Sequence, residues 1–154
     1  MDYRSYTWEN PNNLKFYILI NDTDAILTLV THTCADEVKE IVVPPFVMVK
    51  EDGEIKKKEI TSIDFMTFSD FKSLEKIIIP KTVKFIDEDA TFCCPKKLEI
   101  CCEKDSFVYE WAQKSGYTTS SIFSAMEKFL NSPEDFEKSN NFTNKEAVEF
   151  DMGY

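Results

Sequence analysis

The chain has 154 residues, 43% of them hydrophobic, so it is long enough for one domain with a buried core, and fibrous or wholly disordered proteins are excluded. Its 18 Lys and Arg residues against 28 Asp and Glu residues give a net charge of −10. This charge disfavours direct binding to nucleic acid or anionic lipid, because both require clustered positive charge.

The N-terminal segment, residues 1–13, is polar, and the first apolar run, residues 16–20, is shorter than the apolar part of a signal peptide or a membrane span. Five cysteines, four of them in two adjacent pairs, make a poor disulfide framework. We therefore expect a cytoplasmic protein with reduced thiols and no membrane contact.

Two hairpins are predicted in the first half of the chain. Residues 15–20 and 25–30 are rich in aromatic and branched side chains, and the polar stretch 21–24 between them is typical of a turn. A second apolar run, residues 40–49, leads to an Asp-Gly pair that favours a tight turn, and residues 55–60 are expected to return as the partner strand.

From residue 60 onward the chain repeats itself. Residues 60–64 (ITSID) are matched by residues 83–87 (VKFID), and this offset defines a short period. The second copy contains one inserted residue. With this insertion, Phe92 and Leu98 of the second copy match Phe68 and Leu74 of the first. A short fixed period is typical of stacked coils, because each coil is too small to enclose a core by itself.

Each coil contains a short strand. Residues 74–80 read L-x-x-I-x-I-P, and residues 38–44 have the same spacing. Alternation in a strand directs Ile77 and Ile79 to the interior and Ile78 outward, while Pro80 ends the pairing because it has no N–H.

Residues 60–100 resemble the BspA-like (Treponema-type) leucine-rich repeats, whose units run I-G-x-x-A-F-x-x-C-x-x-L-x-x-I-x-I-P-x-x-V. The hairpins upstream look like the entry module of that family, and residues 104–117 are similar to its closing helix. The departures are Asp64 and Asp87 at the glycine position, Phe71 and Pro95 at the cysteine position, and a third strand without proline.

The resemblance covers about residues 15–117 and implies an α+β fold: a short leucine-rich-repeat solenoid with a small parallel sheet, an N-terminal hairpin cap, a C-terminal helical cap and an extension. It also implies protein or surface binding as the general role. We expect residues 1–118 to form the repeat domain with its caps and residues 119–154 to form an acidic helical extension, partly disordered or partner-bound.

The closing helix is also predicted from the residues alone. Asp105 or Ser106 is a plausible N-cap, and Gly116 stands where a helix C-terminus would end. In the extension, apolar residues at helical spacing predict an amphipathic helix within residues 121–132: Ile122, Phe123, Met126, Phe129 and Leu130.

No residue pattern favours catalysis. The cysteines at 93–94 and 101–102 are adjacent, and adjacent cysteines in a strand face opposite sides, unlike the C-x2-C knuckle of zinc sites. The one histidine, His32, has no cysteine partner indicated by spacing. Phosphate-loop, nucleophile-elbow and zinc-protease motifs are absent. We expect the lysines at 56–58 to lie on an exposed edge of the second hairpin. We predict no enzyme activity, no cofactor and no metal.

The candidate site is therefore a surface. The outward positions of the short strands and the apolar stripe of the extension form the predicted protein-binding residues: Glu40, Val42, Lys76, Ile78, Phe123, Met126, Phe129 and Leu130. The favoured function is a non-catalytic protein-protein interaction module.

Two alternatives remain open. One is an anti-CRISPR-like inhibitor from a phage or mobile element, in which the acidic surface imitates nucleic acid and blocks a host enzyme. The other is part of a cell-surface adhesin, which the lack of a visible signal or anchor disfavours. The partner and the oligomeric state are not predicted.

Overall fold

The computed structural model describes residues 3–121. Its strands are, in chain order, β1 (Arg4–Glu9), β2 (Lys15–Ile20), β3 (Asp24–Thr31), β4 (Glu40–Val42), β5 (Phe46–Glu51), β6 (Glu54–Ile63), β7 (Lys76–Ile78), β8 (Phe85–Ile86), β9 (Glu99–Cys102) and β10 (Thr118–Ser121). One α-helix, α1 (Phe107–Lys114), lies between β9 and β10, and a 3-10 turn (Ala35–Glu37) lies before β4. The fold is α+β.

The first sheet has six strands in the order β1-β2-β3-β6-β5, with β8 paired to the second half of β6. The predicted hairpin of β2 and β3 is confirmed. Strand β1 was not predicted, because its only buried hydrophobic residues are Tyr6 and Trp8 in an otherwise polar segment. Both side chains join the core.

The apolar run 40–49 forms two strands in different sheets. Its first part is β4, and after Pro44 and Pro45 the chain enters β5, which pairs antiparallel with β6 in the first sheet. The two prolines explain the break, because proline has no N–H for pairing. The predicted Asp-Gly turn is confirmed: Asp52 and Gly53 have φ angles of 54° and 81°, as a tight hairpin turn of this type requires.

Lys58 is buried, so the expectation that residues 56–58 form an exposed edge is wrong at this position. β6 lies inside the sheet, between β3 and β5, and alternation turns Lys58 to the interior. Its Nζ donates to the backbone oxygens of Asn21 and Asp22, both at 2.8 Å, and lies 2.9 Å from the Glu51 carboxylate.

Glu51 completes this buried cluster by also accepting from Arg4 of β1. Burial of Glu51 acts to raise its pKa, but hydrogen bonds and charge from Lys58 and Arg4 act in the opposite direction, so its pKa lies below the usual value. The cluster joins β1, β5 and the β2–β3 turn at one end of the first sheet.

The second sheet has four strands in the order β10-β9-β7-β4, and every neighbouring pair is parallel. Ile41, Ile77 and Ile100 stand opposite one another in adjacent strands, and all three have zero solvent exposure. The predicted alternation of buried and outward positions is confirmed, since Ile79 is also buried and Ile78 is only half-buried.

The second coil differs from the sequence match at one position. Phe92, matched to the buried Phe68, is 55% exposed, and Thr91 is buried in its place. Cys94 is half-buried, and its Sγ donates to the backbone oxygen of Phe68 at 3.3 Å. The inserted residue therefore lies after Cys94, in the turn before Leu98, rather than before Phe92.

The helix α1 closes the core as predicted. Ser106 is the N-cap, with its Oγ accepting from the Tyr109 N–H at 3.2 Å, and Val108, Trp111 and Ala112 are buried. Gly116 ends the helix with a φ of 81°. The chain then forms β10, which the sequence did not indicate because this strand consists of polar residues alone.

The division of the chain into a repeat domain, residues 1–118, and an extension, residues 119–154, stays a prediction. The helix predicted within residues 121–132 lies outside the described residues, except for Ser121.

Substitutions in β7 test the alternation. Ile77→Asp should unfold the protein or lower its free energy of unfolding by several kcal/mol, because the carboxylate is buried without a partner. Ile78→Asp is the matched control and should fold, since that side chain is half-buried at the surface. Chemical denaturation of both variants checks this, and the reverse outcome means a strand register that is wrong by one residue.

A second test concerns the buried lysine. Lys58→Ala should lower the free energy of unfolding by about 3 kcal/mol, because Glu51 and two backbone oxygens lose a buried partner. The neighbouring exposed residue provides the control, and Lys57→Ala should cost at most about 1 kcal/mol, because it removes only an exposed cation–π contact with Phe46. Equal denaturation curves for the two variants would show that the Lys58 cluster adds no stability.

Candidate protein-binding face

The strand register brings two rows of side chains together on the side of the second sheet that faces away from the core. One row consists of Glu40, Lys76 and Glu99. The other, two positions further along each strand, consists of Val42, Ile78 and Cys101. These six residues are called the outer face here.

The charged row is held in place by its own contacts. Lys76 Nζ lies 3.3 Å from Glu99 Oε2, which also accepts from Ser120 Oγ at 3.0 Å. The Lys76 and Glu99 side chains are 21% and 31% exposed, and ion pairs accessible to water contribute at most about 1 kcal/mol. The row therefore orients charges at the surface more than it stabilises the fold.

The apolar row becomes less accessible from one edge of the sheet to the interior strand. Val42 is 46% exposed, Ile78 is half-buried, and Cys101 has no solvent exposure. Cys101 Sγ donates to the backbone oxygen of Ser121 at 3.3 Å. The accessible apolar surface of the outer face is thus centred on Val42 and Ile78.

Four of the eight predicted site residues are brought together here, namely Glu40, Val42, Lys76 and Ile78. The other four, Phe123, Met126, Phe129 and Leu130, lie outside the described residues. Sequence reasoning missed Glu99 and Cys101. The repeat contains the signal for both, because in the next coil they occupy the positions that Lys76 and Ile78 occupy in this one.

The five cysteines are free thiols with different environments. Burial raises the pKa of Cys94 to about 12, with a further increase from Cys93, and raises that of Cys102 to about 11, with Cys101 and Glu103 adding to the effect. Burial also raises the pKa of Cys101, against hydrogen bonding to Ser120. These three thiols stay protonated and are poor nucleophiles.

His32 is engaged by backbone groups. Its Nε2 lies 2.9 Å from the backbone oxygen of Asn12, and its Nδ1 accepts from the Cys34 N–H at 2.9 Å. The ring therefore holds the loop together and is not arranged as a base for the Cys34 thiol. Within residues 3–121, no three His, Cys, Asp or Glu side chains cluster closely enough for a metal ion, and the prediction of no metal stays a prediction.

The repeated coils, the buried L-x-x-I-x-I positions and the parallel pairing of β4, β7, β9 and β10 together define a leucine-rich-repeat-like α+β fold. No protein-family model and no curated protein matches the chain.

Two solved structures are similar to it. One is a leucine rich cell surface protein from Faecalibacterium prausnitzii A2-165, with 20% sequence identity and a TM-score of 0.49 over 75% of this chain and 30% of that chain. The other is a leucine-rich repeat protein from Bacteroides ovatus ATCC 8483, with 24% identity and a TM-score of 0.43 over 56% of this chain and 21% of that chain. The chain thus spans less than a third of the length of either protein.

The expected cytoplasmic localisation is corrected by this comparison, because the similar protein from Faecalibacterium prausnitzii is described as a cell surface protein. The expectation depended on the polar N-terminal residues and the odd number of cysteines, and neither feature determines where a chain with this fold is located. Among residues 3–121, no helix is long and apolar enough to cross a membrane.

The thiol environments give a direct test of the outer face. In the native protein at mildly alkaline pH, we expect the exposed Cys34 and Cys93 to react rapidly with a thiol reagent, and Cys94, Cys101 and Cys102 to react slowly. Mass spectrometry of the labelled peptides distinguishes them, and denatured protein is the control in which all five react. Rapid labelling of Cys101 would show that its side chain is open to solvent.

Proposed function

We propose that the protein is a non-catalytic interaction module, a short and divergent BspA-like repeat solenoid that binds a protein partner through the outer face. The observation that supports this most directly is the accessible apolar pair of Val42 and Ile78 beside the charged row. An apolar centre with a polar rim is the usual composition of a protein-binding surface.

The shape and charge of the outer face favour a protein over other ligands. The face is the side of a sheet, and two cavities of the described part of the chain lie elsewhere, one on the first sheet and one at residues 32–37. Its charged row has two glutamates and one lysine, a balance unsuited to nucleic acid. The proposal therefore includes neither a small-molecule substrate nor direct nucleic-acid binding.

The acidic extension is the second part of the proposed interface. β10 ends at Ser121 on the edge of the second sheet, beside Cys101 of the outer face. Residues 122–130 follow directly in sequence, outside the described residues, and contain the apolar residues predicted to bind, namely Phe123, Met126, Phe129 and Leu130. One partner can contact both parts.

Substitution on the outer face tests the proposal once a partner has been isolated with the full-length protein. Ile78→Ala should weaken binding by about 2 kcal/mol, as truncation of a central apolar contact does. Phe85→Ala is the matched control, because Phe85 is an exposed hydrophobic residue, 54% exposed, on the first sheet. Isothermal titration of both variants measures the difference, and equal affinities would place the interface elsewhere.

The same titration, repeated over a range of salt concentrations, distinguishes the alternative function. A surface that imitates nucleic acid binds through exposed ion pairs, whose attraction is screened within about 10 Å at 0.1 M salt. Apolar contacts depend little on salt, so we expect weak salt dependence. A steep loss of affinity with salt, together with competition by duplex DNA or RNA, would support the inhibitor instead.

A further inference from the structure

The first sheet has one side that faces away from the core, and its central strands are apolar on this side as well. Strand β2 (KFYILI) contains a single charged residue, and β3 carries Ile26 and Leu29 beside buried neighbours. A sheet with one side open to water usually alternates apolar and polar residues, whereas strands covered on both sides are apolar throughout. The pattern of β2 and β3 is therefore typical of a sheet that is covered on both sides.

The strand register brings the outward side chains of these strands together. A long row crosses β2, β3, β6 and β8 and consists of Leu19, Ile26, Ser62 and Phe85. A shorter row beside it consists of Tyr17 and Leu29. These six residues are called the back face here.

The back face is accessible to a partner. Phe85 is 54% exposed, and the other five residues are partly exposed. Among residues 3–121, the partly buried hydrophobic residues that pack against the core do not include Leu19, Ile26 or Leu29. An exposed apolar patch with a polar rim is typical of an interaction site.

Acidic side chains flank the long row of the back face on both sides. On one side, Asp24 and Glu59 stand opposite each other in β3 and β6. On the other side, Asp64 and Asp87 directly follow β6 and β8, and their N–H groups continue the ladder by donating to the preceding strands. Within residues 3–121, none of these four carboxylates takes part in an ion pair.

The lysines near the back face do not balance these acids. Lys57 Nζ lies over an aromatic ring, 4.8 Å from its centroid, and Lys84 Nζ donates to a backbone oxygen at 3.1 Å. Lys15, beside the shorter row, stands opposite Glu9 of β1. Three lysines against five acids leave a net charge of −2 around the back face, in a protein whose own net charge is −10.

We propose that the back face binds a basic amphipathic helix of a protein partner, and that this helix lies across the strands along the long row. The apolar stripe of the helix contacts the long row. Lysine or arginine side chains on the two flanks of the stripe reach the two acidic pairs. The proposal does not rest on the function of the outer face, which belongs to the other sheet.

The dimensions of the back face fit such a helix. The long row crosses three spacings between strands, about 14 Å, which a helix of about ten residues spans. The acidic pairs lie two or three positions before or after the row along the strands, roughly 7 to 10 Å away. A helix with its side chains is about 10 to 12 Å wide, so basic residues on both flanks reach these acids.

The charge of the back face disfavours the other possible occupants. A second copy of the chain would bring the same acids against one another. Residues 122–154 of this chain contain seven acidic and three basic residues, so they are repelled as well. Nucleic acid and anionic lipid carry the same sign of charge as the back face. A basic partner is the occupant that its charge complements.

Titration of the full-length protein with a synthetic probe tests the proposal. The probe is a peptide of about 14 leucine and lysine residues, arranged so that lysines flank one apolar helical stripe. Phe85→Ala should weaken binding of the probe at least about fivefold, because it truncates the most exposed apolar side chain of the back face. Phe92→Ala is the matched control, because Phe92 is 55% exposed and lies outside the back face, and it should bind like the unsubstituted protein.

A second pair of variants tests the acids at low salt. Asp64→Asn with Asp87→Asn removes two charges but keeps the side-chain oxygens that accept from backbone N–H groups. This double variant should bind the probe at least about threefold more weakly, and the difference should disappear at high salt, which screens exposed charges. Asp70→Asn with Glu75→Gln is the matched control, because both acids are exposed and precede β7 of the other sheet. Circular dichroism verifies that all variants fold.

Four outcomes would overturn the proposal. The first is no binding of the probe to the unsubstituted protein, or equally tight binding of a peptide in which glutamate replaces every lysine. The second is equal affinity of Phe85→Ala and Phe92→Ala for the probe. The third is equal affinity of the two double variants at low salt. The fourth is self-association of the unsubstituted protein that Phe85→Ala abolishes in analytical ultracentrifugation, which assigns the back face to a second copy.

Discussion

The structure depends on one packing constraint, namely that a single coil of the repeat is too short to enclose its own hydrophobic core. Ile41, Ile77 and Ile100 are fully buried only because β4, β7 and β9 lie side by side in register. The same register determines what lies on the opposite side of the strands. The outer face, with its charged row and its apolar row, is therefore a direct consequence of the packing that holds the coils together.

A stack of coils leaves two open ends, and the chain closes them by different means. Helix α1 covers one end with an apolar stripe that includes Val108 and Ala112. The first sheet extends the core at the other end, where the buried Lys58 satisfies two backbone oxygens and a carboxylate. A buried charge of this kind costs desolvation energy, so its partners have to be present together.

The features that the sequence predicts well are those with a local cause. The β2–β3 hairpin, the Asp-Gly turn, the cap at Ser106 and the alternation in β7 each follow from neighbouring residues. The features that it misses depend on distant partners. Lys58 looks exposed until β3 is known to lie on the other side of β6, and β10 consists of polar residues that become a strand only by pairing with β9. The candidate site follows the same division: Val42 and Ile78 each lie in a recognisable repeat pattern, whereas the strand that carries Glu99 and Cys101 lacks the expected proline. The contribution of the extension stays a prediction.

The residue inserted in the second coil lies in the turn before Leu98, and the strands on either side of this turn keep the register of the first coil. Leu74 and Leu98 stand one position further apart in sequence than Ile77 and Ile100, which pair with each other in adjacent strands. Leu74 stands three positions before Ile77, whereas Leu98 stands two positions before Ile100, so the residue inserted before Leu98 is offset by one fewer residue after it. The two coils therefore have the same length, and the strands stay in register. Pro95, Lys96 and Lys97 at this corner are partly or fully exposed. The path of the chain around this corner therefore differs between two coils of equal length, while the strands that follow it remain aligned.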